Sequence, residues 1–412
     1  MTNLARSAQL LAVLAAMAAV VFPCTGSACR IAAAELTVDD FRFDGPLGSP
    51  GTTVEKVGAN HFRVTLPRAP KNPQWSNMLQ FTIARHAKGN ALRLDASGGG
   101  LSSNELGLRQ FGSWSYDMEN WRPIQATKVD SVPTLLFPKF TEDRVYFGGE
   151  LPMSYEQQEA MIHRWAEHPH AGLTVIGHSP EGRKIYRLTV TDADSPYPLE
   201  KRWIHHVVNQ HCYEYNAQWR IAGMIDWLLS DAGAECRKRH VGHFVVMINV
   251  DGPSHGFGRV NTEGFDMNRS YSHTGSDRHK QATEVYHVQK DMESIHAKTP
   301  LTTTWSMHTW NGERADLMVR LGKDMAREQP LGGLARFVKI LKQNDTQSQF
   351  NPVQNLTTKP SPTHWCSGTH LQFGVTAFCC EGCGGMFTKE QNLHVGAVLM
   401  KTLDDYYTSV KP

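Results

Sequence analysis

The chain is 412 residues long, with 40% hydrophobic and 20% charged residues, enough to bury a full core and, by length, more in keeping with two domains than one. Forty-two basic against 40 acidic residues leave a net charge of +2, which excludes a polybasic nucleic-acid binder and a polyacidic chain, so no nucleic-acid partner is expected. Thirty-four Gly and 21 Pro exclude collagen-like and low-complexity chains, whereas 20 His and 8 Cys call for a search for metal and thiol chemistry.

The chain opens with one charge, Arg6, and an apolar run from Leu10 to Phe22 that is too short for a comfortable membrane span. Residues 1–34 therefore read as a signal peptide, cleaved after Ala28 or Ala34, and predict a secreted or periplasmic protein. No later stretch approaches about 18 uninterrupted apolar residues, so no stable membrane insertion is expected after cleavage. Cleavage at Ala34 removes Arg6 and Arg30 and leaves 40 basic against 40 acidic residues. It also leaves Cys212, Cys236, Cys366, Cys379, Cys380 and Cys383. Disulfides or buried thiols are expected of these rather than a zinc knuckle at 379–383, because no second Cys pair has matching spacing.

Residues 35–150 read as a small β-sandwich domain. Leu79, Phe81 and Ile83 alternate with polar neighbours, 91–94 and 145–147 are further short strands, and turns such as Gly45-Pro46-Leu47-Gly48 and Gly98-Gly99-Gly100 punctuate them. The pattern changes at Ser154-Tyr155-Glu156-Gln157, a capping-box candidate opening a helix to about Glu167. From there to the C-terminus, strands at 173–177, 184–191, 203–209, 243–249, 301–307 and 372–379 alternate with helices at 214–229, 281–297, 332–342 and 388–407. Residues 151–412 thus form an α/β domain, with any ligand site expected beyond the strand ends.

His211-Cys212-Tyr213-Glu214 follows strand 203–209 directly. Zinc needs neutral imidazole and carboxylate converging from one side, and residues three apart at a strand-to-helix turn supply both. His308, after another strand, is the best third ligand; two His and one Glu leave a fourth position open, the arrangement of a catalytic site. His205, His206, His168, His170, His273 and His279 are expected to be exposed or structural. In the loop 259–269, Arg259 could polarise a carbonyl, and the adjacent Asn268 and Arg269 offer donors suited to a carboxylate. Glu381, at the end of strand 372–379, is placed to act as general base on a zinc-activated water.

In this order the pieces resemble the zinc metallocarboxypeptidase family, the group of carboxypeptidase A. Ser179-Pro180-Glu181-Gly182-Arg183 resembles its Ser-x-x-Gly-Arg, His211 and Glu214 its H-x-x-E, and Asn249-Val250-Asp251-Gly252 its Asn-Pro-Asp-Gly. Gly264-Phe265-Asp266-Met267-Asn268-Arg269 resembles its Gly-x-Asp-x-Asn-Arg, and Phe378 to Glu381 the segment with the general base. The β domain, with Gln74-Trp75, Trp114-Ser115-Tyr116 and Leu151-Pro152-Met153, is similar to that of the cytosolic carboxypeptidase branch. The resemblance implies a mixed-sheet α/β catalytic domain and one Zn2+ per chain on His211, Glu214 and His308. It makes Glu381 and Arg259 catalytic, Asn268 and Arg269 substrate-binding, and a peptide or protein C-terminus the substrate. The family's capping Tyr has no counterpart, since no Tyr lies between Tyr286 and Tyr406; His364 or Trp365 stands in that space. Alternatives on the same site are a cell-wall peptide amidase, an N-acyl amino acid deacylase, or a degenerate binding protein.

Overall fold

In the computed structural model the described residues are 34–98, 111–273, 280–309, 312–326, 332–382 and 387–409. Residues 1–33 of the expected export segment, Gly99, Gly100, His279 and Cys383 lie outside them.

The first region is a run of strands: β1 (Phe41–Arg42), β2 (Thr53–Gly58), β3 (His61–Leu66), β4 (Phe81–Ile83), β5 (Leu92–Gly98), β6 (Phe111–Ser115), β7 (Arg122–Gln125), β8 (Thr127–Val129), β9 (Val132–Phe137) and β10 (Val145–Gly149). They form two five-stranded sheets, ordered β1-β4-β10-β6-β7 and β2-β3-β5-β9-β8. One core takes inward residues of both: Phe41, Phe81 and Phe147 from the first sheet, Phe62, Leu94 and Phe137 from the second. This is the expected sandwich. The strand centred on Phe81 and those at 92 and 145 were legible, whereas β2, most of whose residues are exposed, carries no alternation.

The second region begins with α1 (Tyr155–Ala166). Ser154 Oγ accepts from Gln157 N at 3.2 Å and Gln157 Oε1 from Ser154 N at 3.0 Å, the predicted capping box. Then come β11 (Ala171–His178), β12 (Lys184–Val190), β13 (Trp203–Asn209), α2 (Tyr215–Leu229), α3 (Ala234–Arg239) and β14 (His240–Val245). These are followed by α4 (Gly252–His255), α5 (Thr283–Lys298), β15 (Thr303–Met307), β16 (Ala315–Arg320), α6 (Lys323–Ala326) and α7 (Gly332–Asn344). The chain closes with β17 (Gln354–Asn355), α8 (Trp365–Phe373), β18 (Thr376–Gly382) and α9 (Lys389–Ser409). The mixed sheet has the order β11-β12-β14-β13-β15-β18-β16-β17, with β13, β14, β15 and β18 parallel. Successive side chains feed opposite faces: Val207 joins Trp305, Phe378 and α2, whereas Val208 joins α5 and Trp365.

Three expectations are corrected. Residues 365–373 are helix, so the strand expected at 372–379 begins only at Thr376; Trp365 to Thr369 are buried and lack one-sided periodicity. The strand expected at 243–249 is β14, which begins three residues earlier and ends four earlier. The antiparallel β16 was not anticipated. As for the thiols, Cys212, Cys236, Cys366, Cys379 and Cys380 are buried and unpaired.

α2 and α9 lie against each other because glycines face across the contact. A Cβ on Gly223 would come within 2.1 Å of Leu393 O, and one on Gly396 within 2.0 Å of Arg220 O. That approach buries Arg220 completely.

Candidate metal and catalytic site

The central parallel strands end in register. Asn209 pairs with Met307 and Met307 with Cys380, and His308 N donates to Cys380 O at 2.7 Å. His211, His308 and Glu381 therefore emerge side by side at the carboxyl edge of the sheet. Arg220 fixes this edge from below: Nη1 donates to His308 O at 3.2 Å and Glu381 O at 3.1 Å, and Nη2 to Gly382 O at 2.6 Å.

His211 and Glu214 occupy one turn, closed by Glu214 N donating to His211 O at 3.1 Å. Glu214 is the N-cap residue of α2 but makes no side-chain cap; its carboxylate faces the two imidazoles instead. Gly252 lies beneath, where a Cβ would strike Cys212 Sγ at 2.2 Å. Asp251 is held by Ser179 Oγ and by Arg183 Nη1, each at 2.7 Å, so the Ser179–Arg183 and Asn249–Gly252 motifs together form the floor.

His211 Nδ1 is 3.1 Å from Glu214 Oε1, and His308 Nδ1 is 2.6 Å from Glu214 Oε2. The outer nitrogens have partners of their own. His211 Nε2 lies 3.1 Å from Asp266 Oδ1, a carboxylate that only accepts. His308 Nε2 lies 2.8 Å from Ser306 Oγ, which donates its own proton to Gln210 Oε1 at 3.0 Å. With Nε2 facing those outer partners, both rings turn Nδ1 toward the Glu214 carboxylate; burial would raise that carboxyl, but His211 and His308 hold it well below the usual range. All three side chains are at most 2% exposed. Two imidazole nitrogens and a carboxylate converging in a buried pocket suit zinc, with Asp266 and Ser306 supporting the rings from outside.

Asp266 also accepts from Arg259 Nε at 2.6 Å. Burial would raise the Asp266 carboxyl, but His211 and Arg259 hold it well below the usual range. Burial would lower Arg259, but Asp266 and then Glu214 hold it above its ordinary value. Trp75, from the loop between β3 and β4, lies under the Arg259 guanidinium at 5.3 Å. That loop is anchored where Asn72 Nδ2 donates to Gly264 O at 3.0 Å and Met78 N to Gly256 O at 2.6 Å.

Asn268 accepts from Trp365 N at 2.9 Å through Oδ1, which leaves its amide nitrogen as the available donor. Arg269 is exposed, and burial of part of its chain together with the charge of Arg259 lowers its pKa. Glu381 is half-buried; a carboxylate oxygen lies within 4.8 Å of a His308 ring nitrogen and of Cys379 Sγ. All seven predicted residues lie on the segments around this edge. Asp266 and Arg220 had no role in the sequence reading, and only Asp266 lay within a motif. Of the two residues in the capping-Tyr space, His364 is close enough to Arg269 and Asp266 to feel their charges, whereas Trp365 is buried in the core. A separate cavity of about 350 Å³, lined by Trp121, Arg122, Trp219, Phe387 and Lys389 among others, shares no residue with this site.

A family model described as zinc carboxypeptidase matches residues 158–321, a span that contains His211, Glu214, Arg259, Asn268, Arg269 and His308. That stretch of the chain is similar to zinc carboxypeptidases. Cytosolic carboxypeptidase 2 of Xenopus tropicalis is 26% identical over 244 residues, covering 52% of this chain and 25% of that protein. An uncharacterized protein of Zymomonas mobilis is 26% identical over 213 residues, covering 50% of this chain and 53% of that protein. The chain thus spans about half the length of these curated relatives or less. A metallo-carboxypeptidase from Burkholderia cenocepacia superposes with a TM-score of 0.72 at 18% identity, covering 90% of this chain and 98% of that one. One from Pseudomonas aeruginosa, in complex with (2-guanidinoethylmercapto)succinic acid, gives 0.70 at 18% identity, covering 90% and 100%. Coverage of 90% exceeds what the α/β region alone holds, so the shared fold includes the β sandwich. No helix among the described residues is long and apolar enough to cross a membrane.

Proposed function

We propose that the protein is a secreted or periplasmic zinc metallocarboxypeptidase that removes the last residue of peptides or proteins. In this reading residues 1–34 direct export, 35–150 form the sandwich and 151–412 the catalytic domain. The observation that carries it is the convergence of two imidazole nitrogens on the Glu214 carboxylate in a buried pocket. His211, Glu214 and His308 hold one zinc ion. When bound, that ion polarises the scissile carbonyl and makes a neighbouring water acidic enough to attack near neutral pH.

The chain's own residues do the rest. Glu381 accepts a proton from the attacking water, and the water oxygen bonds to the carbonyl carbon. The same carboxyl then delivers that proton to the amine as the carbon–nitrogen bond breaks. Arg259, its Nε tied to Asp266, directs its remaining N–H groups at the developing oxyanion. Asn268 and Arg269 grip the terminal carboxylate, which restricts cleavage to the chain end. The succinic acid derivative bound by the Pseudomonas relative is a carboxylate ligand of the kind this pair would hold.

A random peptide library incubated with zinc-loaded protein and read by mass spectrometry should show loss of single C-terminal residues, and His211→Ala should abolish it. Cleavage only within chains, or only of purified wall fragments, would replace this assignment. N-terminal sequencing of protein recovered outside the cytoplasm should start after Ala28 or Ala34.

A further inference from the structure

At the opposite edge of the same sheet, roughly 20 Å away by strand length, lies a second convergence of donors. α3 runs directly into β14, so Cys236 and His240 sit together, and α9 brings Asp404 against them. Cys236 Sγ, a His240 ring nitrogen and an Asp404 oxygen lie within 4.8 Å of one another. Cys236 is 1% and His240 0% exposed. His240 Nε2 is 3.1 Å from Asp404 Oδ1. Ligands around a tetrahedral ion stand roughly 3–4 Å apart, so small adjustments would close the set.

His240 and Asp404 are backed as ligands would be. His240 Nδ1 meets His205 Nε2 at 2.8 Å, and His205 Nδ1 meets Thr303 Oγ1 at 2.7 Å. Arg239 holds Asp404 on its other side, with Nη2 donating to Oδ2 at 2.7 Å and Nε to Oδ1 at 3.0 Å. A hydrogen-bond chain from Thr303 to Asp404 would explain the histidines and the arginine. It does not explain the thiol that completes the set.

We infer that Cys236, His240 and Asp404 form a second zinc site, which ties α3 and the start of β14 to the C-terminal helix. Thiolate, imidazole and carboxylate together match a borderline-soft divalent ion. Binding releases the Cys236 proton to solvent. His240 presents the Nε2 lone pair to the metal and carries its proton on Nδ1, donating to His205 Nε2, while His205 donates from Nδ1 to Thr303. The Arg239 guanidinium remains on Asp404 and offsets part of the anionic charge. Burial holds the Cys236 thiol well above its ordinary pKa, so without metal it is an inert thiol.

Cobalt(II) titration of the full, metal-stripped chain tests this, because the candidate catalytic set has only nitrogen and oxygen donors. The wild type should bind two ions and show a thiolate-to-cobalt charge-transfer band in the near ultraviolet. Cys236→Ser should abolish the band and bind one ion; His211→Ala should keep the band and also bind one. If Cys236→Ser does not fold, Asp404→Asn in the His211→Ala background should weaken the band-forming site at least tenfold. A wild type without the band, or a band that survives Cys236→Ser and so comes from Cys379, overturns the proposal. Peptidase activity that persists in His211→Ala with the band intact would refute the catalytic assignment and leave this one standing.

Discussion

The sandwich and the α/β region are built on different terms. Between the two sheets of the sandwich the core is apolar, with Phe81 in ring contact with Phe41, Phe137 and Phe147. Two of its buried acids are paired at the margin, Asp40 with Arg85 and Asp95 with Arg93. The α/β region buries His205, His206, His211, Glu214, Arg220, His240, Asn249, Asp251 and Glu284. Burying such groups is costly unless they find partners; those of His205, His211, Glu214, Arg220 and His240 set the geometry of the two clusters, whereas neither ring nitrogen of His206 has a hydrogen-bond partner among the described residues. One region is organised by packing, the other by polar satisfaction, and they meet at Trp75.

The largest effect should separate the two. Glu381→Gln should lower kcat about 10²–10⁴-fold with the thermal midpoint unchanged; near-normal turnover would remove Glu381 from the chemistry. Phe81→Ala should do the converse, costing about 3–5 kcal/mol of stability by denaturant unfolding while the folded fraction turns over normally. Arg259→Ala should cost about 10²–10³ in kcat. Trp75→Ala tests the seam: losing a cation–π contact of about 0.5–2 kcal/mol should cut kcat/KM several-fold and leave the sandwich folded. An effect on stability alone would make Trp75 only an anchor.

The smallest effect is a slope with pH. Burial pushes Glu284 up to about 8, assisted by Asp251 and Glu263, against its hydrogen bond from Asn261. A carboxyl neutral when folded and ionised when unfolded loses stability as pH rises from its unfolded value of 4.5 to about 8. Glu284→Gln should flatten that fall. Asp40 and Asp95 are shifted downward despite burial, by partners that include Arg85 and Arg93. Their contribution is present above the ordinary Asp value and is lost only on acidification, so Glu284 and these two aspartates act at opposite ends of the pH range.

The sequence made the parallel strands readable because β13 carries an apolar run, β15 is rich in β-branched and aromatic residues, and both end at chemically distinctive residues. The α1 and α2 boundaries followed from caps and helical spacing. α8 was not readable, because its first five residues are all buried and periodicity carries no signal there. Asp266 and Arg220 were hidden for a different reason. Each acts across long sequence separations, as between Arg220 and Glu381, 161 residues apart, and nothing local distinguishes a buried bridging charge from a surface one. The likeness of the second donor set to a metal site also needed α9 folded back onto α3.

The alignment of Asn209, Met307 and Cys380 carries an evolutionary corollary. Side chains alternate between faces along a strand, so inserting or deleting one residue just before His308 would throw the imidazole to the far face of the sheet. Point substitutions can accumulate widely through these strands, but a single-codon indel there should be purged, and length drift in descendants should be confined to the connecting segments.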